Sequence, residues 1–192
     1  PGMNIPIGSG SGDVFTSNSH YVAGRIGQPP EGRNVYASWM ILIMPSMEQD
    51  PLYNQLDLSQ RESANASGVN AKGFTEPAAT VVNNYLCPSD WIPKRVISYN
   101  GGNYAVNSYF ANGGVRTWFV GNATFDGVFQ INSRLTMIGI SGNDGTSNTF
   151  MVGERFSKDD VWPDMAERRG WAWSSYNAVQ DNMCGTAVPI NY

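Results

Sequence analysis

Apolar positions are unevenly spread along this chain, and their longest run comes early. Tyr36 to Met47 (YASWMILIMPSM) is apolar almost throughout, so it offers no polar face to water and reads as buried on all sides. Pro45 and the following MEQDPLYNQL predict a helix that breaks at Pro51 and leads into a second short helical turn. Residues 1–33, before this segment, are rich in Pro and Gly without periodicity and read as an extended, loop-rich lead-in. Residues 59–75 (SQRESANASGVNAKGFT), after it, are polar and read as a surface excursion. Glu76-Pro77 then opens the stretch AATVVNNYL, which ends at Cys87-Pro88. Pro at a first helical position predicts a short helix that delivers Cys87 to the core. A strand is the alternative, because Thr80, Val81 and Val82 are β-formers.

The pattern changes to β from Tyr99 onward. SYNGGNYAVNSYFANGG alternates aromatic and polar residues between glycine pairs, as short strands with tight turns do. TWFVGNATFDGVFQIN repeats this as strand, Asp126-Gly127 turn, strand. Two more apolar runs follow, Leu135–Ile140 and Thr149–Val152, with Asn143-Asp144-Gly145 as the turn between them. Trp162, Trp171 and Trp173 lie among charges near the end, where Trp171 and Trp173 would share one face of a strand. The whole predicts an α+β fold, with short helices in the N-terminal half, an antiparallel sheet and long loops. The length of 192 residues suits one domain covering 1–192.

Composition narrows the function. Only 15% of residues are charged, well below the roughly 25% usual for globular domains, and Asn, Ser, Gly and Thr take their place, as in many exported bacterial proteins. The net charge is −4, with no basic stripe to neutralise a phosphate backbone, which argues against nucleic acid as a partner. Cys87 and Cys184 could close a disulfide around nearly half the chain, or stand as two buried thiols.

Three segments, in this order, resemble one family. They are Trp39 to Tyr53 (WMILIMPSMEQDPLY), Tyr85 to Asp90 (YLCPSD) with GGNYAVNSY after it, and Gly127 to Glu154 (GVFQINSRLTMIGISGNDGTSNTFMVGE). Together they look like the large prepilin-like family of planctomycetes and related bacteria, a domain of unknown function with a type II secretion pseudopilin G-like N-terminus. Members begin with a cleavage site, a long apolar helix and a "PPG" element, and end on His, nine residues, then Asp-Gly. Pro1-Gly2 falls where the element would be, and the chain stops at VPINY before the terminal signature. The resemblance therefore implies a trimmed pilin-like head. Its place is extracellular or at the cell surface, with membrane attachment only through the missing helix. Its partners are copies of itself or other pilin-like subunits. No catalytic residues come with the family.

The candidate chemistry is sparse. His20 is the only histidine, which disfavours a His-rich zinc site and leaves a Ser-His-Asp triad, built on Ser89 or Ser147, dependent on His20. Asn143, Asp144, Ser147, Asn148 and Glu154 place hard oxygen ligands close together, which suits Ca²⁺, and some secretion pseudopilins bind calcium in a head loop. The competing reading is a plain Asp-Gly turn. Asp159, Asp160, Asp164 and Glu167 could do carboxylate-dependent hydrolysis, or form a salt-bridged surface with Arg155, Lys158, Arg168 and Arg169. Trp118, Trp162, Trp171 and Trp173, with Tyr176, could line a polysaccharide-binding platform or fill a core. A structural or assembly subunit is the leading expectation. A carbohydrate- or surface-binding module is second, and a carboxylate hydrolase third.

Overall fold

A computed structural model describes residues 3–4, 36–115, 127–129, 135–143, 145–154, 170–172 and 183–184, the first and last pairs by backbone alone. The apolar run is the centre of the fold. Strand β1 (Met3–Asn4) pairs antiparallel with β2 (Ala37–Ser38), and β2 runs directly into helix α1 (Trp39–Ile43). Ser38 makes that transition possible. Its extended backbone ends the strand while its Oγ accepts from the Ile41 N–H, satisfying a donor that the helix start would otherwise orphan. A 3₁₀ turn (Met44–Met47) continues the helix and ends at Glu48, whose φ of 58° is left-handed. Helix α2 (Asp50–Gln55) follows, with Pro51 in its first turn. The break falls at residues 48–49, just ahead of Pro51, which sits in the first turn of the second helical segment that the pattern predicted, where its missing N–H would be unbonded anyway.

The predicted surface excursion is tied to the body by buried amides. Helix α3 (Ser63–Ala66) occupies its middle. Asn65 Oδ1 accepts from the Asp57 backbone N–H at 2.8 Å and its Nδ2 donates to the Asp57 carbonyl at 2.9 Å. Asn70 Nδ2 donates to Asn65 Oδ1 and to the Gln55 carbonyl, while Asn70 Oδ1 accepts from the backbone of Lys72 and Phe74. Asn65 and Asn70, which look like surface in one dimension, are here bonded parts of an interior network. The predicted helix before Cys87 is two 3₁₀ turns, Pro77–Ala79 and Asn83–Tyr85, and it is Tyr85 that they carry into the core. The β-branched Thr80, Val81 and Val82 lie between the two turns, where they disfavour one continuous helix.

Strands β3 (Val96–Tyr99) and β4 (Gly102–Ala105) form a hairpin, in register from Val96↔Ala105 to Tyr99↔Gly102, whose first strand starts ahead of the β pattern read from Tyr99 onward. Asn100 (φ 47°) and Gly101 (φ 80°) both take the positive φ that a type I′ turn requires. Strand β5 (Tyr109–Asn112) comes next. Helix α4 (Met137–Gly142) then replaces the β run expected over Leu135–Ile140. The local signal for this helix is Thr136, whose Oγ1 caps it by accepting from Gly139 N–H. Strands β6 (Val152–Glu154) and β7 (Met183–Cys184) flank β5, β6 antiparallel and β7 parallel. The architecture is α+β with small sheets, and no described helix is long and apolar enough to cross a membrane.

One core joins these parts. Met40, Ile41, Met44, Leu56, Tyr85, Tyr104, Ala105 and Trp171 belong to it, and Trp171 is 0% exposed. Its indole Nε1 donates to the Thr80 carbonyl and its ring lies 6.4 Å from that of Tyr85.

Candidate functional site

The recognisable segments, distant in sequence, meet around Tyr85 and Ser108. The Tyr85 hydroxyl donates to the Met40 carbonyl at 2.7 Å, which ties YLCPSD to the apolar run. The Tyr85 carbonyl in turn accepts from Ser108 N–H at 2.8 Å. Ser108, fully buried, uses its hydroxyl twice: Oγ accepts from Cys87 N–H at 3.1 Å and donates to Asp90 Oδ2 at 2.9 Å. Tyr109 is in side-chain hydrogen-bond contact with Cys87 and pairs across the sheet with Glu154, the last residue of the third segment. Burial, then the nearby Cys87 and Glu154 charges and the Cys87 hydrogen bond, push the Tyr109 phenol above its ordinary range.

A serine, a cysteine, two acids and a tyrosine in one place invite a catalytic reading, but the geometry points elsewhere. Ser108 is sealed from solvent and its oxygen both donates and accepts within the protein, so it cannot attack a substrate. Asn107 beside it is 1% exposed, donates Nδ2 to the Tyr109 carbonyl, and leaves Oδ1 without a partner. The knot holds backbone: it closes the CPSD turn, where Asp90 N–H also bonds the Cys87 carbonyl, and fixes the start of β5.

The structure forms no cysteine bridge at Cys87. Cys87 stands as a free, half-buried thiol. Cys87 is bound at Ser108, just before β5, whereas Cys184 on β7 lies opposite Asn112 at the far end of β5.

The aromatic platform is also redrawn. Trp171 sits in a turn rather than on a strand and is wholly buried, so it fills core and cannot stack on a sugar. Trp118, Trp162, Trp173 and Tyr176 lie outside the described residues, as do His20, the cluster Asp159, Asp160, Asp164 and Glu167, and its partners Arg155, Lys158, Arg168 and Arg169. Trp91, which the sequence pattern did not single out, is the tryptophan that faces solvent among the described residues, at 62% exposure.

In the expected calcium loop, Asn143 Nδ2 donates to the Gly139 carbonyl at the end of α4. Gly145 N–H bonds Ile140, Asn148 N–H bonds Gly145, and Thr149 Oγ1 donates to Gly145. Ser147 and Asn148 are exposed, Glu154 is on β6, and Asp144 lies outside the described residues. Among the described residues no group of three His, Cys, Asp or Glu is placed to hold a metal.

A family model described as a protein of unknown function (DUF1559) matches residues 3–189, nearly the whole chain. The chain belongs to the DUF1559 family. No curated protein and no solved structure matches this DUF1559 chain. Its recognisable segments are those that build the Tyr85–Ser108 knot and the helix and strand beside it.

Proposed function

We propose that this DUF1559 chain is a structural subunit of a type IV pilin-like or pseudopilin-like surface system, exported from the cell and assembled with copies of itself or other pilin-like subunits. The observation that carries the reading is on α4. Met137 and Ile138 are 60% and 85% exposed, and Leu135 just before them is nearly half exposed. Three large apolar side chains presented to water within four positions are costly in an isolated domain and ordinary in one that is covered by a neighbour. They fall in the third of the segments that resemble prepilin-like proteins. The polar groups of the second segment support the same reading, since they are occupied in holding main chain.

The test is assembly in the producing cell. Surface material is sheared off and probed for the full protein carrying the native residue or Ile138→Asp. The native protein is expected in the sheared fraction. The variant, with an unchanged melting midpoint, is expected to be missing from it. Equal amounts of both, or neither, would remove the proposal.

A further inference from the structure

The knot at Ser108 also fixes the loop that runs on from it. Residues 91–95 (WIPKR) leave the CPSD turn and enter β3, and both of their ends are held. On one side Asp90 is bonded through its carboxylate to Ser108 and through its N–H to Cys87. On the other, the Arg95 carbonyl accepts from Val106 N–H at 3.0 Å, extending the β3–β4 ladder. Pro93 stiffens the short span between. Trp91, Lys94 and Arg95 are all exposed. Among the described residues neither the Lys94 nor the Arg95 side chain is engaged in an ion pair or hydrogen bond. In a chain of net charge −4, this is a pair of adjacent, exposed cations three and four positions after an exposed tryptophan.

We propose that this loop binds an acidic polysaccharide. The indole face supplies a flat apolar surface for the C–H face of a sugar ring, and the two cations supply charge-assisted contacts to ring carboxylates. Because the loop is pinned at both ends, little ordering entropy is lost on binding. The charge pattern selects this partner over other polyanions. Two cations do not make the stripe that a nucleic-acid backbone needs. Ile92 is half-buried, so a single ring stands out rather than an apolar wedge suited to a lipid surface. The inference is independent of assembly, since it rests on none of the residues of α4.

Affinity gel electrophoresis of the 192-residue chain tests it, with polygalacturonate, neutral dextran or phosphatidylglycerol vesicles in the gel. Retardation is expected in polygalacturonate, weakening with salt, and not in dextran or with vesicles. Trp91→Ala is expected to weaken binding about tenfold, and Lys94→Glu with Arg95→Glu to abolish it. Because all three side chains are exposed, melting midpoints should stay at the native value, so a loss of binding reports on the loop. Absence of retardation, undiminished binding by Trp91→Ala, or a preference for the vesicles would each overturn the proposal.

Discussion

Ser38 Oγ donates a 2.5 Å hydrogen bond to the carbonyl of Trp171, a residue 133 positions away. The same oxygen caps α1 by accepting from Ile41 N–H, so one hydroxyl starts the central helix and anchors a distant turn to it. Trp171 returns the constraint through its own N–H to the Ala105 carbonyl and its indole to Thr80. Ser38→Ala should therefore cost about 1–3 kcal/mol, the sum of a lost cap and an unpaired buried carbonyl. Trp171→Ala should cost about 3–5 kcal/mol from the cavity it leaves. Trp171→Ala keeps the backbone carbonyl that Ser38 holds but loosens the turn that carries it, so the double variant should be less destabilised than the two single effects added together. Urea unfolding of the three variants measures this, and strict additivity would contradict it.

Gly127 has no room for a side chain. A Cβ there would lie 2.0 Å from the Gly113 carbonyl carbon and 2.1 Å from Gly114 N, both backbone atoms that cannot swing aside. The approach is held by Phe129 N–H bonding the Asn112 carbonyl. Gly127→Ala should leave little folded protein. Gly142, near the end of α4 and with open space around it, gives the contrast: Gly142→Ala should gain about 0.4–1 kcal/mol by restricting the unfolded chain. Thermal melts of the two variants should move in opposite directions.

Local patterns reveal local structure, and the apolar run at Tyr36–Met47, the Asn100-Gly101 hairpin and the helical turns flanking Pro45 and Pro51 are all of that kind. Asn65 and Asn70 could not be recognised as interior, because their burial depends on accepting and donating to Asp57 and Gln55 across a loop. Trp91 and Trp171 are equally aromatic in sequence. Which one is buried is decided by the Tyr85 ring and the Thr80 carbonyl, partners far along the chain from Trp171.

Burial pushes the Tyr85 phenol well above its ordinary value of 10.0. Tyr104 moves the same way, chiefly through burial, with the charges of Glu62 and Tyr99 adding to it. Both phenols are neutral in the fold and ionise more readily in the unfolded chain. Their contribution to stability is thus complete below about pH 10 and is lost as pH rises beyond it. Tyrosinate absorbance from these residues should appear together with the loss of tertiary structure, not before it. Full, reversible ionisation of all nine tyrosines in the native state would contradict this burial.

Cys87 should be a free thiol in the purified protein. Alkylation under denaturing, non-reducing conditions should label the peptide that carries it. A peptide linking Cys87 to Cys184 would contradict this.

The central claim is that α4 meets a neighbouring pilin-like subunit, and cross-linking at that helix tests it most directly. The full protein carrying Ile138→Cys is treated on intact producing cells with a short thiol-specific cross-linker, beside the unsubstituted protein. The assembly reading predicts a ladder of covalent oligomers or a defined adduct with a second subunit, appearing only with the new cysteine. A single monomer band, matching that of the unsubstituted protein, would contradict it.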